Sequence, residues 1–145
     1  MKEYRHGAHP VYEIHLHLVW ITKYRRPVLV GDVGLRVRDL IRQVCQQQEV
    51  TIMKGHVSKA HVHLFVSIPP QVTISRLVQR LKGKSAYKLL QEFPMLQKQF
   101  WGRHIWARGY FCCSSGNVTD EVIERYIENQ THEQDDGFRV EGEEH

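Results

Sequence analysis

Two histidines, His61 and His63, open a segment that alternates between apolar and other residues as a β-strand does. Residues two apart on a strand point to the same side of the sheet, so both imidazoles can reach one cation. Neutral imidazole binds Mn²⁺, Zn²⁺ and Ni²⁺ and, when oxygen ligands are added, Mg²⁺. His15 and His17 have the same spacing, so the pattern alone does not decide which pair forms the primary metal site.

A second candidate group lies on a helical segment near the end of the chain, where Tyr126 and Gln130 are four residues apart. Residues at this spacing share one face of a helix. A phenol has a pKa of about 10 and is a weak nucleophile at neutral pH, so a cation or a base must activate it or its target. An ordinary core tyrosine is the alternative. Together with a histidine pair, however, these residues fit a metal-and-nucleophile site for phosphate chemistry.

The charge of the chain is divided unevenly. Residues 1–132 carry 19 Lys and Arg against 10 Asp and Glu, a net charge of +9, whereas residues 133–145 carry one Arg and six acidic residues, a net charge of −5. A basic body favours a polyanionic partner, because neutralised phosphates release counterions. We predict one folded domain over 1–132 and an acidic, disordered tail over 133–145.

Four basic residues of a long predicted helix form one candidate surface for nucleic acid: Arg76, Arg80, Lys82 and Lys84. No acidic residue is interleaved, although like charges four residues apart repel each other by a few tenths of a kcal/mol. This pattern favours a surface that binds successive phosphates, and a helix face that is merely exposed to solvent is the less favoured alternative.

A second basic cluster, Lys23, Arg25 and Arg26, surrounds Tyr24 after the first predicted strand. Cations beside an aromatic ring are typical of proteins that bind single strands, although a plain basic loop explains the cluster equally well.

The remaining composition excludes several classes of protein. Cys45, Cys112 and Cys113 form neither a CxxC motif nor an even set of pairs, which favours a reducing compartment. No segment approaches the roughly 18 apolar residues of a membrane span, and the first residues lack the apolar core of a signal peptide. We therefore predict a cytoplasmic location.

Periodicity predicts the elements that position these residues. Strands are expected over 11–22, 50–57, 61–68 and 105–114, with helices over 33–48, from Thr73 as N-cap to Phe93-Pro94, and after Thr119. This order indicates an α+β fold: a ferredoxin-like or RRM-like antiparallel sheet (βαββαβ) with helices on one face, plus a C-terminal helix that carries the tyrosine. The first and third strands then pair centrally. The histidines face the open side, which the last helix can cover in its own subunit or a partner's.

Taken together, these segments resemble the single-tyrosine HUH transposases of small bacterial insertion sequences that move as single-stranded DNA. The resemblance covers the chain from about residue 11 to 132, with its motifs in order. The matching stretches are 18–20 with 23–25, 61–64 with 68–70, 81–85, 101–102, 106 with 108–111, and 125–130.

The resemblance implies a DNA transposase that cleaves and rejoins single-stranded DNA at element ends and recognises DNA hairpins. It implies a divalent metal, Mg²⁺ or Mn²⁺, held by His61, His63 and Gln130, and no ATP. Tyr126 would form a 5′-phosphotyrosine, while His17 and His15 would neighbour the metal site. The residues of the two basic clusters are the candidate DNA contacts: Lys23, Arg25, Arg26, Arg76, Arg80, Lys82 and Lys84. A homodimer is expected, with active sites completed in cis or in trans.

Two other functions remain open from the sequence. A domesticated relative would use the same tyrosine chemistry to nick chromosomal repeats. A non-catalytic RRM-like module would bind nucleic acid on the same sheet. Against the module, the positions expected to carry stacking aromatic residues hold histidines.

Overall fold

Four strands form one antiparallel sheet in the computed structural model, which describes residues 14–114 and 120–129. The strands are β1 (Ile14–Ile21), β2 (Thr51–Val57), β3 (His61–Ile68) and β4 (Phe111–Ser114), and their order across the sheet is β2-β3-β1-β4. The central strands, β1 and β3, pair so that Val19 lies opposite His63. The predicted ferredoxin-like sheet is therefore confirmed.

Helices α1 (Gly31–Gln47), α2 (Ile74–Glu92) and α3 (Pro94–Gln99) precede β4, and α4 (Asp120–Asn129) follows it. Helix α2 begins where predicted because the side chain of Thr73 accepts a hydrogen bond from the Arg76 N–H, which the helix itself leaves without a partner. It ends before Pro94, since proline disfavours helical backbone at the preceding residue.

Helices α1 and α2 cover one face of the sheet. The strand residues that alternate onto this face include Leu18, Trp20, Val62 and Leu64, each at most 2% exposed. They pack with the apolar sides of both helices in one continuous cluster. Because side chains alternate along a strand, the histidines lie on the opposite face, which we call the open face.

Helix α4 packs on the open face. Its Ile123 and Ile127 join Val19, Ile21 and Ala107 in a second, smaller apolar cluster. The chain thus covers part of the histidine-bearing face with the helix that also contains the predicted nucleophile.

The predicted strand over 105–114 is wrong in its first half. Only β4 pairs continuously with β1, and before it Trp106 makes a single isolated bridge to Thr22. Val19 pairs with Phe111, and the isolated bridge joins Thr22 to Trp106. Three residues on the β1 side therefore span the same distance as five residues before β4, so the segment before β4 bulges out of the sheet. The aromatic content that suggested a strand reflects burial instead, since Trp106 is only 7% exposed.

Several predictions concern residues outside the described part of the chain: the helix cap at Thr119, the ligand Gln130 and the acidic tail over 133–145. Across the described residues, none of the helices combines the length and the apolar character needed to cross a membrane.

Candidate active site

Three histidines converge on the open face. His61 and His63 are two residues apart on β3, and His17 lies on the neighbouring strand β1. The Nδ1 atom of His17 is 2.9 Å from the Nε2 atom of His63. The alternation of two paired strands therefore brings together three of the four histidines that the two sequence patterns contain.

His61 is held in the uncharged form that binds metals. Burial, followed by smaller effects of positive charge on His56, His63 and Arg25, lowers the pKa of His61 to about 4. The Oγ atom of Ser58 lies 3.3 Å from its Nε2 atom. Near pH 7 the imidazole is neutral, as a metal ligand must be.

A cavity of about 610 Å³ opens beside His61. Its walls are formed by Arg25, the hairpin segment 56–61 and three residues of α4, namely Glu124, Ile127 and Glu128. The cavity thus combines a neutral imidazole and a guanidinium with two carboxylates. Such groups can bind a cation and a phosphate side by side.

Tyr126 lies on the open face but on another side of α4. Its ring centroid is 5.4 Å from that of Phe111 on β4. The carboxylates of Glu124 and Glu128 line the His61 cavity. Each is two residues from Tyr126, roughly 200° around the helix, so Tyr126 lies on the side of α4 that faces away from this cavity. Burial raises the pKa of Tyr126 to about 12, so the phenol is protonated. The fold therefore brings the histidines together and places Tyr126 over the same face, but against β4.

The predicted third metal ligand, Gln130, lies outside the described residues. Within residues 14–114 and 120–129, no three His, Cys, Asp or Glu side chains are grouped to hold a metal ion. The complete ligand set stays a prediction. The second histidine pair is arranged around Phe65, on which His17 stacks at 4.5 Å while His15 meets the ring edge-on at 5.8 Å.

The first predicted DNA-contact cluster lies at the same end of the sheet as the cavity. It forms a one-turn 3₁₀ helix after β1, anchored by the Thr22 hydroxyl, which donates to the carbonyl of Arg26 over 2.8 Å. Arg25 reaches the cavity wall. Lys23 and Arg26 lie beside Tyr24, with Nζ and Cζ at 5.5 and 5.6 Å from the ring centroid.

The basic residues of α2, which form the other predicted DNA-contact cluster, differ in their surroundings. Three of its residues are exposed or half-buried along α2: Arg76, Arg80 and Lys84. Lys82 is instead engaged within the chain, where its Nζ donates to the carbonyls of Ala107 and Gly109 over 2.8 and 2.6 Å. Lys82 therefore fastens the bulged segment before β4 to α2.

Sequence reasoning missed two residues near the metal pair, His56 and Ser58. The hairpin register places His56 opposite His63, and its ring lies 6.3 Å from that of His61. A signal for His56 was present, because a short hairpin turn fixes the pairing of the two strands. Ser58 lies in the turn itself, where alternation gives no information.

Comparisons with known proteins identify the family of this chain. The family model of IS200-like transposases matches residues 10–130. The ISDra2 transposase TnpA of Deinococcus radiodurans is 35% identical over 128 residues, which cover 88% of this chain and 91% of that protein. The transposase for insertion sequence element IS200 of Salmonella typhimurium is 32% identical over 126 residues, with 87% of this chain and 82% of that protein covered.

Solved structures share the fold. A crystal structure from Deinococcus radiodurans R1, of a protein proposed to be a transposase, superimposes with a TM-score of 0.80 at 35% identity and covers 87% of this chain and 97% of that one. A REP-associated tyrosine transposase bound to a REP hairpin superimposes with a TM-score of 0.56 at 18% identity, covering 91% of this chain and 74% of that one. The resemblance inferred from the motifs is confirmed, and the chain belongs to the IS200-like transposase family, whose members are DNA-cleaving enzymes.

Proposed function

We propose that this transposase cuts and rejoins single-stranded DNA at the ends of a mobile element, with Tyr126 as the nucleophile. One observation carries the proposal: His61 and His63 share the open face of the sheet with the helix that bears Tyr126. Arg25 adds a cation at the edge of that site. A metal-binding pair, a phenol and a phosphate-binding cation are the groups that phosphodiester transfer needs.

In the proposed reaction the phenol oxygen of Tyr126 attacks the scissile phosphorus. A phosphorus–oxygen bond to the tyrosine forms while the bond to the 3′-oxygen breaks. The phenol loses its proton, and the departing 3′-oxygen takes one up. The products are a 5′-phosphotyrosine and a free 3′-hydroxyl. Because the phosphodiester energy is conserved, another 3′-hydroxyl can reverse the step and join strands without ATP.

The histidines fit a divalent cation. His61 is neutral near pH 7, with its pKa lowered to about 4, and His17 lies 2.9 Å from His63, where it can fix the orientation of that ring. We propose that His61, His63 and Gln130 hold Mg²⁺ or Mn²⁺. When bound, such a cation neutralises charge on the scissile phosphate and stabilises the departing 3′-oxygen.

Tyr126 has to leave its contact with Phe111 in order to act. A half-buried phenol whose pKa is about 12 is a weak nucleophile. Gln130 comes four residues after Tyr126 in the sequence, and we propose that one docking of α4 over the histidines delivers the nucleophile and the third ligand together. We propose a homodimer in which this helix serves the histidine pair of its own subunit or of its partner.

The proposed substrate is single-stranded DNA that carries hairpins near the element ends. The net charge of +9 over residues 1–132 and the exposed Arg76 and Arg80 support a nucleic-acid partner. The REP-associated tyrosine transposase, which shares the fold, is bound to a REP hairpin. This likeness supports the hairpin as the feature to test first.

The test uses oligonucleotides that tile both flanks of the gene, incubated with the protein and Mg²⁺ or Mn²⁺ and analysed by denaturing gel and intact mass. We expect a covalent adduct with one of them, lost in Tyr126→Phe and in EDTA. Phenylalanine keeps the ring packing against Phe111, so the variant should fold. Tyr110→Phe is the matched control, which removes a phenol hydroxyl elsewhere and should keep the adduct.

Other outcomes would contradict the proposal in distinguishable ways. Tight binding that EDTA leaves unchanged, with no adduct, would favour the non-catalytic RRM-like module. An adduct that forms on chromosomal repeats but never on the flanks of the gene would favour the domesticated nickase. An adduct that persists in Tyr126→Phe would assign the nucleophile to another residue.

A further inference from the structure

A groove distinct from the His61 cavity runs between α2 and the bulged segment before β4. Its volume is about 730 Å³, which lies within the roughly 300–1,000 Å³ typical of small-ligand sites. Its floor is apolar, formed largely by Ala86, Leu90 and Ile105. At its rim stands Tyr87, which is 63% exposed and therefore offers a ring face to solvent.

The rim of the groove is basic. Arg103 and Arg108 both line it and are exposed, and no carboxylate is among the described residues of its walls. Within the part of the chain that the structure describes, neither guanidinium has an acidic partner. The backbone at Gly102 and Arg103 takes φ angles of +62° and +61°. Arg103 thus adopts a conformation that non-glycine residues seldom take, and it does so on the rim of the groove.

Gly83 provides an independent observation on the wall of the groove. It lies in the interior of α2, where glycine is less favourable than alanine for the helix. A Cβ atom at this position would meet nothing within 4 Å. Packing inside the chain therefore gives no reason for glycine here, whereas a ligand that lies against the helix would.

The groove is connected to the His61 cavity through the end of β1. The backbone N–H of Lys23 donates to the carbonyl of Ile105, on the groove floor, over 2.7 Å. The next residues of that loop include Arg25, which lines the His61 cavity. The loop that carries Lys23 and Arg25 therefore adjoins both the His61 cavity and the groove.

We propose that this groove binds an unpaired base of the single-stranded DNA that leads into the active site, with the base stacked on Tyr87 and its phosphates on Arg103 and Arg108. The inference rests on the proposed function for its substrate. An exposed aromatic ring between cations is the arrangement by which proteins hold single strands without reading their sequence. An apolar floor without a basic rim would instead suit a protein segment.

The test is binding of a fluorescently labelled oligothymidylate, followed by anisotropy in the Tyr126→Phe background so that no covalent product forms. Gly83→Leu fills the groove from a position where the chain leaves room, so it should fold with an unchanged or higher thermal midpoint. Tyr87→Ala removes the stacking ring from an exposed site. We expect each to weaken binding by about 5- to 100-fold, as the loss of one stacked base does. Gln43→Leu, on the exposed side of α1, is the matched control.

Photocrosslinking with 5-iododeoxyuridine in the same oligonucleotide adds a positional result, with the crosslink expected on Tyr87. Unchanged affinity in both groove variants, with crosslinks elsewhere, would overturn the inference even if the wild type forms its Tyr126 adduct. A different result is that both variants lose affinity while the wild type forms no adduct on any substrate. The groove would then be a nucleic-acid site, and the proposed nuclease activity would be contradicted.

Discussion

The Nδ1 atom of His17 lies 2.9 Å from the Nε2 atom of His63, a contact made across the paired central strands of the sheet. Burial lowers the pKa of His17, which favours a neutral ring. In a contact between two imidazole nitrogens one nitrogen donates and the other accepts, so each ring restricts the tautomer and the orientation of its neighbour. This contact makes His17 a positioning residue for the proposed metal site.

The first prediction ranks the histidines by metal binding. His61→Ala removes a proposed ligand and should abolish binding of Mn²⁺, measured by isothermal titration, together with cleavage. His17→Ala removes only a neighbour and should weaken metal binding by about 10- to 100-fold at most, with a smaller loss of cleavage. His104→Ala, at an exposed histidine that does not line the His61 cavity, should leave metal binding unchanged. Equal loss of bound metal in His17→Ala and His61→Ala would mean that the ranking of the two pairs is wrong.

The second prediction concerns stability in acid. The pKa of His61 falls from 6.5 to about 4 on folding, so between these values the unfolded chain binds more protons than the folded one. The free energy of unfolding should therefore decrease as the pH falls from about 6.5 towards 4, by at most about 3 kcal/mol from this residue. Urea unfolding in EDTA at several pH values measures it. His61→Asn should flatten the dependence. An equally steep dependence in His61→Asn would assign it to other groups.

Alternation along single strands allowed much of the histidine site to be predicted. His61, His63 and His17 face one side of the sheet because their strands alternate, and this period can be counted in the sequence. Thr73 could likewise be recognised as a cap. The bulge before Phe111 could not, because its aromatic residues fit a strand and only packing against α2 decides otherwise. The rotation of α4, which turns Tyr126 towards β4, depends on docking between elements that are distant in the sequence.

The third prediction separates two basic residues of α2. Lys82 donates to the carbonyls of buried Ala107 and exposed Gly109. Lys82→Met should therefore lower the free energy of unfolding by about 1–2 kcal/mol, mainly because the part-buried carbonyl of Ala107 loses a charged donor. Arg80 is exposed. Arg80→Gln should leave stability within about 0.5 kcal/mol and reduce the salt dependence of DNA binding by about one counterion.

Urea unfolding and DNA titrations over a range of salt concentrations give both quantities for each variant. If Lys82→Met reduced DNA affinity as strongly as Arg80→Gln does and kept full stability, Lys82 would be a phosphate contact after all. Its bonds to the segment before β4 would then contribute nothing measurable to the fold.

The fourth prediction tests a buried hydrogen-bond chain beneath the proposed base-binding groove. The indole N–H of Trp106 donates to the Oγ atom of Ser85 over 2.9 Å, and the Ser85 hydroxyl donates to the carbonyl of Leu81 over 2.6 Å. Ser85→Ala leaves the indole N–H without its acceptor in the protein interior, which should cost about 1–3 kcal/mol. In a Trp106→Phe background the donor is already gone, so the same change should cost much less. Urea unfolding of the four proteins measures the coupling, expected at 0.5 kcal/mol or more. Additive losses would show that the indole finds another partner, and that the segment carrying Arg103 is held by its apolar contacts and by Lys82 instead.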